Sequence, residues 1–136
     1  MKVFALIFLS QLFFLSEAYS QVSLDIFITH KKGIDKDLIL TSELQSSERI
    51  VGKELRVLEM RNGIRVEIGA EFVEDWSEVI GPSSHVRLLG GLWGPQRKLW
   101  LNFEDLDKRA YLGEEFSFTF SDDIDQIVEI RVKPWL

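Results

Sequence analysis

The stretch Lys53–Val73 constrains this chain more than any other. It reads KELRVLEM, then Arg61-Asn62-Gly63, then IRVEIGAEFV. From Ile64 onward, Ile64, Val66, Ile68, Ala70 and Phe72 alternate with Arg65, Glu67, Gly69 and Glu71. A half-buried strand requires this period of two, because successive side chains point to opposite faces. The preceding strand allows two phases, Leu55/Val57 or Leu58/Met60, and the turn decides between them. A two-residue Asn62-Gly63 turn would set Glu59 opposite Val66. A three-residue Arg61-Asn62-Gly63 loop, with Gly63 left-handed, pairs Met60 with Ile64 and Leu58 with Val66. It also sets Glu59 across from Arg65, a favourable charge pair. The three-residue loop keeps apolar side chains together and is the predicted register; a slip of one residue would reverse every face.

The first twenty residues read as a cleavable signal peptide. Lys2 is its basic start, and Val3 to Leu15 is apolar except for Ser10 and Gln11. Ala18-Tyr19-Ser20 then offers a small-x-small cleavage site. The apolar run is shorter than the roughly 20 residues that span a bilayer, so an uncleaved anchor is the lesser alternative. The prediction is a signal peptide over 1–20 and one mature domain over 21–136. The leader carries one lysine and one glutamate, so its removal leaves the net charge at −6. That acidic balance argues against a general nucleic-acid binder and gives no basic anchor for anionic lipid. The chain has no cysteine. Disulfides, thiol catalysis and cysteine-held zinc are thereby excluded. Neither Asn62 nor Asn102 begins a glycosylation sequon. For an exported domain these absences point to a bacterial protein, periplasmic or secreted.

The remaining pattern is a series of alternating runs between turn signals. Val22 to His30 predicts a first strand, with Val22, Leu24, Ile26 and Ile28 on one face, followed by a charged loop over Lys31 to Lys36. Asp37 to Leu44 predicts a second strand with Leu38, Leu40 and Leu44 together, and polar Gln45 to Gly52 reads as loop, with Ile50 and Val51 against the core. After the hairpin, Glu74 to Pro82 reads as an irregular connection or one helical turn, ended by Gly81-Pro82. His85 to Trp93 predicts a strand kinked or bulged at Gly90-Gly91. Gly94 to Arg97 is a turn. Lys98 to Phe103 predicts a strand with Leu99, Leu101 and Phe103 on one face and Trp100 on the other. Glu115 to Phe120 sets Phe116, Phe118 and Phe120 on one face. Gln126 to Lys133 closes the series with Val128, Ile130 and Val132 inward, stopped by Pro134. About eight short strands without an amphipathic helix predict an all-β fold. The expected form is an antiparallel β-sandwich of immunoglobulin-like architecture, without that fold's disulfide-and-tryptophan core; a small β-barrel is the alternative.

Few residues offer chemistry. Histidines are two, His30 and His85, and His85 is expected to be a half-exposed residue at a strand start. Ser83-Ser84-His85 lacks the strand-turn-helix elbow of a nucleophilic serine, so a small secreted hydrolase is the lesser rival. Two histidines and a carboxylate could hold zinc, but no spacing supports it. The acidic turns Asp122-Asp123-Asp125 and Glu104-Asp105-Asp107 read as solvated turns; calcium is their sharper reading. The expectation is no cofactor and no enzymatic activity. Four tryptophans in the last half are the notable surplus, and Trp93 and Trp100 are candidate contacts for a protein partner or a sugar ring. His30, Lys31 and Lys32 form a local basic cluster that could meet an acidic partner. The predicted function is a non-catalytic exported protein acting by protein binding, or as an accessory or structural component of the cell envelope. The alternative is a carbohydrate-binding module that uses exposed tryptophans.

Overall fold

The computed structural model describes residues 21–34, 37–78, 81–106, 109–122 and 125–136, with backbone alone for 75–77 and 81–83. The proposed leader therefore lies outside the described residues. So do Asp35, Lys36, Asp107 and Asp123. Strand β1 (Gln21–Ile34) pairs antiparallel with β2 (Asp37–Val51) and with β8 (Gln126–Trp135), which also pairs with β7 (Phe116–Ser121). A second antiparallel sheet runs in chain order through β3 (Arg56–Glu59), β4 (Arg65–Ser77), β5 (Gly81–Trp93) and β6 (Leu99–Asn102). The two four-stranded sheets are thus β2-β1-β8-β7 and β3-β4-β5-β6.

A path around the molecule meets the strands in chain order, as in an up-and-down barrel. Backbone ladders are missing at two seams, β2/β3 and β6/β7. The expected alternative of a closed barrel is therefore not what forms, and the sheets pack as a sandwich. Side chains cover the seams instead. At one, Arg56 of β3 donates to the Arg49 carbonyl of β2 at 3.0 Å. At the other, Trp100 of β6 stacks on Phe120 of β7, centroids 4.9 Å apart, and Phe103 meets Phe118 edge-on at 5.2 Å.

The core is the set that alternation selects. Val22, Leu24, Ile26 and Ile28 of β1 face Val66, Ile68 and Ala70 of β4 across the sandwich, with Val128, Ile130 and Val132 beside them. Each fully buried Val, Leu or Ile contributes about 1.5–3 kcal/mol, which offsets the cost of ordering the strands. The β3–β4 register is the predicted one: Leu58 pairs with Val66 and Glu59 with Arg65, and Met60 N–H donates to the Ile64 carbonyl at 2.8 Å. Gly63 closes that loop at φ 75°. Arg65 makes its ion pair along its own strand, with Glu67 at 2.8 Å.

Several expectations are corrected. Residues 45–51 are strand, not loop: β2 follows β1 from Ile34↔Asp37 to Gln21↔Val51. Its inward positions include Ser42, Ser46 and Glu48, all half-buried, which hides the alternation; an edge strand tolerates them because its inner face is only partly covered. Leu38 and Leu40 are exposed, and only Leu44 of that predicted face packs on the core. Residues 74–77 and 81–82 are strand rather than an irregular connection, because the β4–β5 ladder continues to Ser77↔Gly81; residues 79 and 80 lie outside the described residues. Strand β6 carries a bulge: Leu92 pairs with Leu101 and Trp93 with Leu99, leaving Trp100 as the extra residue. The bulge turns Trp100 onto the core and leaves Leu99 exposed. Pro134 does not stop β8, which runs on to Trp135. Its carbonyl accepts from Gly113 N–H on the side away from β1, so its missing N–H also points there, where β7 has already ended. His85 is buried rather than half-exposed, and His30, expected in a basic surface cluster, is buried as well.

The kink expected at Gly90-Gly91 resides in Gly90, at φ 96°, where a Cβ would run into the Glu67 backbone. Gly90→Ala is expected to destabilise the protein by about 3 kcal/mol, from left-handed strain plus displacement of β4. Gly52→Ala, at φ 62° with open space around it, should cost about 1 kcal/mol. Urea unfolding midpoints of the two variants test the difference.

Candidate functional site

One end of the sandwich gathers the β1–β2 tip, the Arg61-Asn62-Gly63 turn, the β5–β6 loop and the turn between β7 and β8. Gly33 N–H donates to the Asp125 carbonyl at 2.5 Å, and Gly63 lies against Pro95. Of the sequence candidates, His30, Lys31, Lys32 and Trp93 are near this end.

The basic cluster is split by the strand pleat. Lys31 and Lys32 are exposed, whereas His30 continues the buried phase of Ile28 and is 2 % exposed. A bulge at His30/Lys31 separates the two environments. The His30 ring links the sheets: Nε2 meets Gln126 Oε1 of β8 at 3.2 Å, and Nδ1 meets Asn62 Nδ2 of the β3–β4 turn at 3.4 Å. A neutral ring protonated at Nε2 satisfies both partners. Gln126 in turn donates to Asp122 Oδ2 at 3.3 Å, and Asp122 Oδ1 caps the turn by accepting from the Asp125 and Gln126 amides. Burial pushes the His30 pKa below its ordinary value of 6.5; the hydrogen bond to Gln126 opposes this, Lys32 adds to it, and Asp122 and Asp125 oppose it. This histidine is an inter-sheet tie rather than part of a basic surface.

The tryptophans divide by what covers their rings. Trp100 stacks on Phe120 and backs Gly94, where any Cβ would meet the indole. Trp135 donates from Nε1 to Asp25 Oδ2 at 2.9 Å and lies under the Lys133 ammonium at 4.6 Å. The side chain of Trp76 is outside the described residues. Trp93 has no ring or cation partner among the described residues. It is half-buried on the outer face of the second sheet, beside Gly91, and borders two depressions.

The first depression is a cleft of about 360 Å3 between the β3–β4 turn and the β5–β6 loop. Glu59, Arg65, Glu67, Gln96 and Arg97 line it with Trp93. In the loop, Gln96 at φ 64° and Arg97 at φ 58° are both left-handed without being glycine. Each such residue costs about 1–2 kcal/mol where the side chain is not glycine. The second depression, about 340 Å3, lies past Trp93 among Lys53, Leu55, Leu89, Leu99 and Glu104. Sequence reasoning found Trp93 but missed Glu59, Arg65, Glu67, Gln96 and Arg97. The outward phase of Glu59, Arg65 and Glu67 was readable from the alternation; their convergence with residues 96 and 97 needs the tertiary fold.

Among the described residues no group of three or more acidic or histidine side chains is arranged to hold a metal, and no helix is long and apolar enough to cross a membrane. Comparisons with protein-family models, with curated proteins and with solved structures gave no match.

The His30 tie has a pH signature. A pKa lowered by folding means the unfolded chain binds the proton first, so this contribution is complete above about pH 6.5 and declines as pH falls through the window below it. Protonation also puts a hydrogen on Nδ1 opposite the Asn62 amide donor. The melting temperature is expected to fall between pH 6.5 and 5.5, and His30→Gln should flatten that slope. An equal slope in both proteins would contradict the assignment.

Proposed function

We propose that this protein is an exported, non-catalytic binding protein whose partner is another protein of the envelope or extracellular space. The observation that carries this reading is the β1–β2 arm. Beyond His30 the hairpin overruns the core, and Ile34, Leu38, Ile39 and Leu40 are exposed by 50, 55, 48 and 50 %. Consecutive Leu38-Ile39-Leu40 make both faces of the arm apolar. Strand β2 is also an edge, with backbone donors and acceptors on its outer side that no strand pairs. An apolar edge of this kind is an aggregation hazard unless a partner covers it. Strand addition by a partner would satisfy its backbone groups and cover Leu38 and Leu40 together.

Export rests on the leader-like first twenty residues, and the absence of cysteine favours a bacterial periplasmic or secreted location. The immunoglobulin likeness is proposed for the layering alone. In the immunoglobulin order the chain passes between sheets more often, whereas here the strands run in sequence with two crossings, β2 to β3 and β6 to β7. The non-catalytic reading is supported by the engagement of both His30 ring nitrogens.

A photo-crosslinking amino acid at Leu40, in the protein expressed in its own cells, is expected to give one defined protein adduct. The same group at exposed Glu114, at the opposite end, should give none. Adducts from neither position, or equally from both, would remove the arm as the contact surface.

A further inference from the structure

We infer that the outer face of the β3–β6 sheet is a binding site for a neutral oligosaccharide, with Trp93 as its stacking platform. This goes beyond the protein-binding arm and does not depend on it. Three observations converge. The first is the ring itself: among the tryptophans whose side chains are described, Trp93 alone lacks a ring, cation or hydrogen-bond partner among the described residues, yet it borders open depressions of about 360 and 340 Å3. Both volumes fall in the range of small-molecule sites. An indole face between two depressions suits a chain of sugars, one ring on the platform and its neighbours to either side.

The second is charge. The first cleft sets Glu59 and Glu67 against Arg65 and Arg97, and the second sets Lys53 against Glu104. Each is balanced, so neither an anionic nor a cationic ligand gains from the field. A hydroxyl both donates and accepts, so adjacent sugar hydroxyls can use a carboxylate and a guanidinium at once. Glu59, Gln96 and Arg97 have no side-chain partner among the described residues, which leaves three planar polar groups available at one cleft.

The third is the strained pair. Gln96 and Arg97 hold left-handed backbone where glycine or asparagine would relieve it. Gly94 packed on Trp100 and Pro95 packed by Gly63 anchor the loop that holds them. Strain maintained by such anchoring is expected where side chains must be aimed.

The test is isothermal titration calorimetry of the purified protein against hexasaccharides: β-1,4-glucose, β-1,3-glucose, α-1,4-glucose and β-1,4-N-acetylglucosamine, with galacturonate hexamer as the anionic control. At least one neutral hexamer is expected to bind saturably, with an affinity that changes less than twofold between 50 and 300 mM salt. Trp93→Ala should weaken it at least tenfold. Glu59→Gln/Arg97→Ala, which leaves Trp93 in place, should also weaken it at least tenfold, and circular dichroism melts report whether each variant folds. The inference is overturned if no neutral hexamer binds, if the galacturonate hexamer binds more tightly, or if both folded variants bind like the parent.

Discussion

The pairing of β1 with β8 is the contact on which the rest of the structure depends. It joins Ser23 to Trp135 at one end of the ladder and Lys32 to Gln126 at the other. Without it the first sheet is two separate hairpins, β1–β2 and β7–β8, each with one apolar face and nothing beside it. Isolated hairpins are marginal in water, so neither would hold its register alone. The side chains reinforce this ladder on both faces. Inside, Ile26 lies opposite Val132 and Ile28 opposite Ile130. Outside, the Arg131 guanidinium lies 4.4 Å over the Phe27 ring, and Trp135 reaches Asp25 across 110 residues of sequence. Contacts this distant make closure of the first sheet the step with the largest entropy cost. The second sheet pairs only neighbours in the chain and carries no such cost.

The two sheets meet at two seams. Each sheet is complete in hydrogen bonds along its own ladders, but β2 and β3, like β6 and β7, are joined by chain without a ladder. At β6/β7 the gap is filled by the most space-demanding side chains available, Trp100 on Phe120 and Phe103 on Phe118. The bulge at Trp100 is what directs the indole into this gap, so a local irregularity in β6 supplies an inter-sheet contact. At β2/β3 the cover is polar: Arg56 spans to Arg49 and Glu48. The exposed ion pair in that set is worth about 1 kcal/mol at most, so the hydrogen bond to the carbonyl is the firmer link. One seam is thus a packed aromatic junction and the other a solvated one.

The sequence made these features legible to different degrees. The β3–β4 register was readable because two local signals agreed: the Gly63 turn and the pairing of Leu58 with Val66. Strand β2 was misread past Leu44 because its inner face bears Ser46 and Glu48, and alternation fails as a signal where the opposing layer covers a strand only in part. The burial of His30 was readable, since the phase that buries Ile28 buries the residue two positions on; its lysine neighbours suggested a surface instead. What no periodicity encodes is the meeting of Asn62 and Gln126 on that ring, or the lining of one cleft by both Glu59 and Arg97, because these residues lie far apart along the chain. The left-handed Gln96-Arg97 pair was equally unreadable, since neither residue type favours that backbone.

The aromatic rings also show how this fold separates structural from available surface. On the outer face of the β1–β8 ladder, Phe27 is capped by Arg131 of the neighbouring strand and Trp135 by Lys133 of its own strand. Such caps cost little, because the long side chains of Arg131 and Lys133 already lie along the sheet and their charges remain in water. The corresponding position over Trp93 has no cap, although Arg65 is on the same outer face. Arg65 is instead held by Glu67, 2.8 Å away on its own strand. A carboxylate two residues along the strand thus engages the guanidinium that is paired directly across from Trp93. The cleft beside them sets two carboxylates, Glu59 and Glu67, against two guanidinium groups, Arg65 and Arg97, so the surface next to the uncapped ring is balanced in charge.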